Sequence, residues 1–285
     1  MPSLAPVFVC GATASGKTDH ALNLAQKLDG EIVNADAFQL FHGIETLSAA
    51  PSPEEKSRVP HHLYGVINPG ESNDAGRFAE MAGVVIAEIQ SRHKTPIVVG
   101  GSGLYLKFLT HGPSPLPKAD PTLRAAMETQ TLGELLHQLE KIDPQEAAQV
   151  SRENRRYVAR SLEICQLTGK KASSLRDGWE KKSLQVEKKL IGHWLVHERP
   201  ELHRRIAQRT QAMMKYGAIE EVEQLEGIGG TWQKAIGVRE IRQLLSGEIT
   251  RERCQELIIF ATRQYAKRQE SWFRREKWLQ VVKPH

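Results

Sequence analysis

The chain has 285 residues, 40% hydrophobic and 26% charged, with 39 Lys and Arg against 34 Asp and Glu for a formal net charge of +5. This composition excludes a disordered or collagen-like chain, and no apolar run approaches the length needed to cross a bilayer. The mild positive balance is compatible with an anionic partner without demanding one. The first residues lack the basic and apolar regions of a secretory signal. Cys10, Cys165 and Cys254 stand far apart with no CxxC or Cys/His spacing. The expectation is a cytoplasmic protein with three reduced, buried thiols and no membrane partner.

In chain order, Pro6 to Cys10 reads as a short buried strand. Lys17 to Leu28 reads as a helix with Ala21, Leu22, Leu24, Ala25 and Leu28 on one side. Between them lies Gly11-Ala12-Thr13-Ala14-Ser15-Gly16-Lys17-Thr18, the full P-loop pattern in the required strand–loop–helix context. Glycines let the backbone wrap an anion, successive N–H groups point inward, and the helix N-terminus adds favourable partial charge. Lys17 would neutralise phosphate and the Thr18 hydroxyl would hold Mg²⁺. Asp19 is a first-turn acid suited to the helix dipole.

A second strand is expected over Glu31 to Ala35, ending at Asp36, and a third over Thr95 to Val99, followed by Gly100-Gly101 and a helix from Ser102 to Leu109. Strands alternating with helices predict a mostly parallel sheet. The Pro-, Ser- and Asn-rich stretch from Gly43 to Gly76 is long for a plain connection, which marks it as functional. The third strand ends in Gly-Gly-Ser where an ATPase would place a magnesium-binding acid. Asp36 is the nearest carboxylate. At the carboxyl end of a strand it would face the ligand crevice and could act as a general base, although a turn-capping Asp satisfies position alone equally well.

The Pro-rich segment His111 to Pro121 reads as a hinge, and from Thr122 to about Lys171 the patterns are helical. The clearest is RRYVARSLEICQLTGK, closed by Gly169. Leu190 to Val196 reads as a strand that returns to the core, and from Pro200 onward the pattern is helical to the end. The expected organisation is 1–118 as the first part of the core, 119–188 as an all-helical insertion and 189–285 as a return to the core. TRQYAKRQESWFRREKW, Thr262 to Trp278, interleaves basic residues with Tyr265, Trp272, Phe273 and Trp278. It fits either an RNA-stacking surface or a helix whose aromatics pack inward. RENRRYVAR in the insertion is a second basic helix. His61-His62 and His203 have no third ligand at a metal spacing and are read as loop and helix-packing residues.

Together the motifs resemble the bacterial tRNA dimethylallyltransferases, the IPP transferase family, nearly end to end. GATASGKT, NADAFQLFHGIE, PHHL, VVGGSGLYLK, RSLEICQLTGK, ELHRRI, KAIGVREI and TRQYAKRQESWFRR follow in family order. The resemblance implies a P-loop NTPase-like α/β fold with an all-helical insertion clamping the anticodon arm. The implied reaction moves a dimethylallyl group from dimethylallyl diphosphate to N6 of the adenosine 3′ of the anticodon, assisted by Mg²⁺, in a monomeric enzyme. It implies Asp36, Thr13 and Arg205 as catalytic residues, Gly11 to Thr18 as the diphosphate loop and Thr18 as metal ligand. It further implies tRNA contacts at Asp36, Ala37, Phe38, Gln39, Ser102 and Arg124. The remaining contacts are Arg156, Tyr157, Val158, Ala159 and Arg160 in the insertion, with Lys234, Ala235, Ile236, Gly237, Val238 and Arg239. Departures from the family pattern fall at Ala12, Ala37, Ala50, Glu153-Asn154 and Tyr157, which bear on recognition more than on chemistry. The alternatives are a P-loop small-molecule kinase, for which the loop is an ATP-binding motif and Asp36 activates an alcohol, and a catalytically weakened tRNA-binding homologue.

Overall fold

A computed structural model describes residues 4–113, 116–117 and 119–284. Ser114, Pro115 and Lys118, and with them the expected boundary after 118, lie outside the described residues. In chain order the first elements are β1 (Val7–Gly11), α1 (Lys17–Lys27), β2 (Gly30–Asn34), α2 (Pro53–Arg58), β3 (His61–His62), α3 (Ala75–Ser91), β4 (Thr95–Gly100) and α4 (Gly103–His111). Helices α5 (Pro121–Glu128), α6 (Leu132–Ile142), α7 (Pro144–Gln149), α8 (Arg155–Thr168) and α9 (Ala172–Glu187) follow. The chain continues through β5 (Ile191–Leu195), α10 (Arg199–Lys215), α11 (Ala218–Gln224), a 3₁₀ turn at Thr231–Lys234, α12 (Val238–Leu245), α13 (Arg251–Phe273) and β6 (Leu279–Val282). The chain divides into two compact units, residues 1–112 with 190–285, and residues 113–189.

The first unit is built on a sheet of order β3-β2-β4-β1-β5-β6, with every pair parallel. Strands β1, β2 and β4 are buried along their whole length, as expected where helices cover both faces of a parallel sheet. The period of two divides their side chains. Val7 and Val9 pack with α1 residues Ala21, Leu22 and Ala25, whereas Phe8 and Cys10 enter the larger core with Phe41, Phe78, Trp232 and Phe273. From β1 one crossover leads to β2, while β5 pairs on the opposite side of β1. The crevice beyond the carboxyl end of β1 is therefore a topological switch point, where open α/β sheets bind ligands.

The second unit packs Met127, Leu135, Leu139, Val158, Leu162 and Ile164 into its own core. Helix α8 stops at Gly169, whose φ of 64° is the left-handed conformation that favours glycine. Three buried acids anchor the unit. Asp143 accepts from Ser173 N and Oγ at 2.8 and 2.7 Å. Glu146 accepts from Ser161 Oγ at 2.6 Å and pairs with Arg176. Glu163 accepts from Asp120 N at 2.7 Å and pairs with Arg124 and Arg160.

Two expectations are corrected. The C-terminal segment is not helical to its end, because Leu279–Val282 forms strand β6 beside β5. His61–His62 is a short edge strand paired with β2. In the basic aromatic segment, Phe273 is buried, Trp278 packs edge-on against Phe8, and Trp272 crowds Gly103, where a Cβ would lie 2.3 Å from the indole. Those three aromatics serve the core rather than a stacking surface. Among the described residues no helix is long and apolar enough to cross a membrane, and all three cysteines are free and buried.

Candidate active site

The P-loop leaves β1 and enters α1 through Gly16, the N-cap residue, at φ 80°. Ala14 also has positive φ, 64°. That conformation costs an alanine about 1 kcal/mol or more and persists only where neighbours hold it. Arg205 Nε on α10 donates to the Ala14 carbonyl at 2.8 Å, and the His197 ring meets the Ser15 carbonyl at 3.0 Å. Arg209, one turn after Arg205, donates to Thr13 Oγ1 at 2.5 Å. Lys17 folds back over the loop and donates to the carbonyls of Gly11 and Ala12 at 3.1 and 2.8 Å. Burial lowers the Lys17 pKa to about 8, with Arg209 adding repulsion and Asp36 opposing both. Arg209 is shifted down by burial as well, again against the pull of Asp36.

Asp36 lies just beyond β2. Its N–H donates to Asn34 Oδ1 at 2.8 Å and its Oδ1 accepts from Phe38 N at 3.0 Å, a local turn that aims the carboxylate. Asn34 is itself pinned by donation to the Leu63 carbonyl at 2.9 Å. The turn-capping and cavity-facing readings of Asp36 therefore coexist in one side chain, one oxygen serving the turn. Gly100 closes β4 against this segment, where any Cβ would fall 2.3 Å from the Ala35 carbonyl oxygen. The Gly-Gly sequence thus provides close backbone approach where a magnesium-binding acid was lacking.

Two cavities converge here. One, of about 430 Å³, is lined by Thr13 to Asp19 together with Asp36, Gln39, Arg205 and Arg209. The other, of about 200 Å³, is lined by Phe38, Met213, Lys234, Ile236, Tyr265 and Arg268, among others. Thr13, Asp36, Ser48 and Arg209 line both. A polar, cationic chamber suited to an anion therefore opens onto a mixed apolar and aromatic chamber, with the carboxylate and the Thr13 hydroxyl at their junction.

The structure sorts the other sequence-predicted residues. Gln39 donates its amide to the Ser48 and Ala49 carbonyls at 3.1 and 2.8 Å, so it braces the Leu47–Ala50 turn while lining the anion chamber. Ser102 is buried and its Oγ accepts from Ala37 N at 3.2 Å, which makes it a support for the Asp36 loop instead of a surface contact. Val158, Ala235 and Val238 are buried apolar residues and Gly237 is buried too. In those segments Arg156, Tyr157, Lys234 and Arg239 are exposed. Within the second unit, Arg124, Arg155, Arg156, Ala159 and Arg160 line a basic cavity of about 410 Å³. Arg124 and Arg160 are both held by buried Glu163.

Sequence reasoning missed Arg209, His197 and Gln269. The signal for Arg209 was its spacing of four from Arg205, which puts both guanidinium groups on one helix face. Gln269 on α13 accepts from Thr13 N at 2.8 Å and donates to the Gly101 carbonyl at 2.9 Å. Among the described residues no group of three or more His, Cys, Asp or Glu could hold a metal.

Comparison with known proteins agrees in one direction. The family model described as IPP transferase matches residues 39–276. A tRNA dimethylallyltransferase of Akkermansia muciniphila is 42% identical over 97% of this chain and 92% of the relative. One from Geobacter sulfurreducens is 39% identical over 96% and 91%. The crystal structure of a tRNA isopentenylpyrophosphate transferase from Bacillus halodurans superposes with a TM-score of 0.70 at 32% identity, covering 98% of this chain and 89% of that one. A eukaryotic dimethylallyltransferase acting on tRNA gives 0.76 at 27% identity, covering 99% and 74%.

Proposed function

The chain belongs to the IPP transferase family, whose members prenylate tRNA, and from that premise we propose that it transfers a dimethylallyl group from dimethylallyl diphosphate to N6 of the adenosine 3′ of the anticodon. The observation that carries this reading is the junction of an anion chamber with an aromatic chamber at Asp36, Thr13 and Arg209. A phosphoryl-transfer reading asks for a strand-terminal acid beside the phosphates, and β4 ends in glycine instead. A binder without catalysis gives a task only to the Asp36 oxygen that serves the turn, not to a carboxylate set at the junction of the two chambers.

The chemistry follows from the groups present. The loop amides, Lys17 and the arginine pair hold the diphosphate. Arg209 donates to Thr13 Oγ1, so the Thr13 hydroxyl proton is free to point to the departing oxygen. As the C–O bond to the prenyl C1 breaks, negative charge grows on the diphosphate, where preorganised donors stabilise the transition state most. The adenine N6 attacks C1 from the aromatic chamber, and Asp36 takes the N6 proton. A base stacked in an anticodon loop cannot reach such a pocket, so the adenosine enters flipped out.

The donor set suits Mg²⁺. Thr18 lines the anion chamber, and the Ser15 hydroxyl is buried with no hydrogen-bond partner among the described residues. Thr18 would hold the ion through its hydroxyl beside the diphosphate, in keeping with the few protein ligands this hard cation usually takes. When bound it neutralises part of the leaving-group charge. We take the working form to be a monomer, since residues of one chain line both chambers, and its place to be the cytoplasm, where its tRNA substrate is. The test is transfer of labelled dimethylallyl diphosphate to unmodified tRNA. Label at the adenosine beside the anticodon supports the reading, and label confined to free adenine nucleotides or absent altogether overturns it.

A further inference from the structure

We propose that Gln269 is a positioning residue that sets the distance between the leaving-group loop and the Asp36 loop. The inference rests on the function proposed above. Gln269 is 4% exposed, on the face of α13 that looks toward the carboxyl end of the sheet. Its carboxamide is used at both ends. Oε1 accepts the backbone N–H of Thr13 at 2.8 Å, and Nε2 donates to the Gly101 carbonyl at 2.9 Å. The orientation of the amide is decided by its partners, because a backbone N–H requires an oxygen and a carbonyl requires an N–H. The slot is shaped for it, since a Cβ on Gly101 would lie 2.2 Å from Nε2.

On the same helix, one turn earlier, Tyr265 lines the aromatic chamber, and Gly101, held by Gln269, is followed directly by Ser102. Ser102 in turn accepts the Ala37 N–H beside Asp36. Helix α13 thus joins the donor loop to the acceptor loop through Gln269, which holds Thr13 at one end and Gly101 at the other, Gly101 being followed by the Ser102 that supports Ala37. Thr13 and Asp36 are the groups that meet the departing oxygen and the attacking nitrogen. Their separation governs whether the bound pair reaches attack distance, and a misplacement of about 1 Å can cost about a hundredfold in rate. Gln269 also occupies the Thr13 N–H, so that this amide is a fixed strut of the loop.

The chemistry demands one donor and one acceptor in the same planar group. Methionine fits the space and supplies neither. An ionised glutamate accepts from Thr13 but confronts the Gly101 carbonyl with a second acceptor. A neutral glutamic acid restores both bonds. The test measures kcat and KM for donor and tRNA in Gln269→Met and Gln269→Glu beside the wild type, with circular dichroism and melting temperature as folding controls. Expected for Gln269→Met is a kcat loss of about 10- to 100-fold with KM for tRNA within about twofold. Expected for Gln269→Glu is a ratio to wild-type kcat that climbs at least about fivefold as the pH drops from about 8.5 to about 6, as the buried acid takes up its proton. That recovery decides the matter if the methionine variant does not fold. A Gln269→Met kcat within about threefold of wild type, a loss confined to the tRNA KM, or a flat Gln269→Glu ratio overturns the inference while leaving the proposed reaction standing. A wild-type chain that transfers no prenyl group overturns both.

Discussion

Lys17 rests on its own loop's carbonyls with its pKa lowered to about 8 by burial. A bound diphosphate stabilises the charged form, so binding above about pH 8 requires proton uptake. Affinity for inorganic pyrophosphate is therefore expected to fall as the pH rises through about 8, and Lys17→Arg, which stays charged, should remove the inflection; calorimetric titration from about pH 6.5 to about pH 9.5 reads both. The stability sign is opposite in sense. Between about 8 and the ordinary lysine value the folded chain binds fewer protons than the unfolded chain, so stability gains from this group as the pH climbs through that window. Asp36→Asn keeps the turn-forming oxygen and abolishes the base. Turnover should drop by about 10²–10⁴ with tRNA affinity held, as measured by single-turnover transfer and filter binding. The glycine spacing and the strand-terminal Asp36 were legible because each needs only local context. Arg209 and Gln269 were not, because their contacts to Thr13 join helices from the far end of the chain.

Strands β1, β2 and β4 were readable as short apolar runs between turn signals, and α8 was readable from its periodicity and its glycine stop. Strand β6 was hidden, since only Leu279 of Leu279–Val282 is buried and the preceding basic run extends the helical pattern. Its identity depends on pairing with β5, which the local sequence does not encode. The end of β4 makes a sharp prediction. Gly100→Ala drives a Cβ to 2.3 Å from the Ala35 carbonyl oxygen. It should lower unfolding free energy by at least about 3 kcal/mol in denaturant titration and disable the Asp36 loop with it. In the second unit, Glu163→Ala removes the acceptor for Asp120 N, Arg124 and Arg160 together. The expected loss is about 2–4 kcal/mol, reduced from the full buried-pair value because Arg124 is half exposed and regains water.

At the scale of the whole molecule, the +5 net charge matters for how tRNA is approached rather than for the reaction. Arg156 is exposed and has no side-chain partner among the described residues, unlike Arg124, which already serves Glu163. Arg156→Ala should weaken tRNA binding and flatten the plot of log affinity against log salt by about one unit of slope, measured by fluorescence anisotropy across salt concentrations. An unchanged slope would leave Arg156 as ordinary surface. The sheet itself carries one more consequence. Strand β1, which launches the P-loop, has β4 on one side and β5 on the other. The first neighbour is synthesised before the helical unit and the second only after it. On a ribosome the nascent sheet must wait with one edge of β1 bare while α5 to α9, rich in local contacts that form fast, emerge and fold. Translational pausing anywhere between α4 and β5 would prolong that naked edge, so the synthesis rate over the insertion is a determinant of how much chain reaches the native state and how much aggregates through β1.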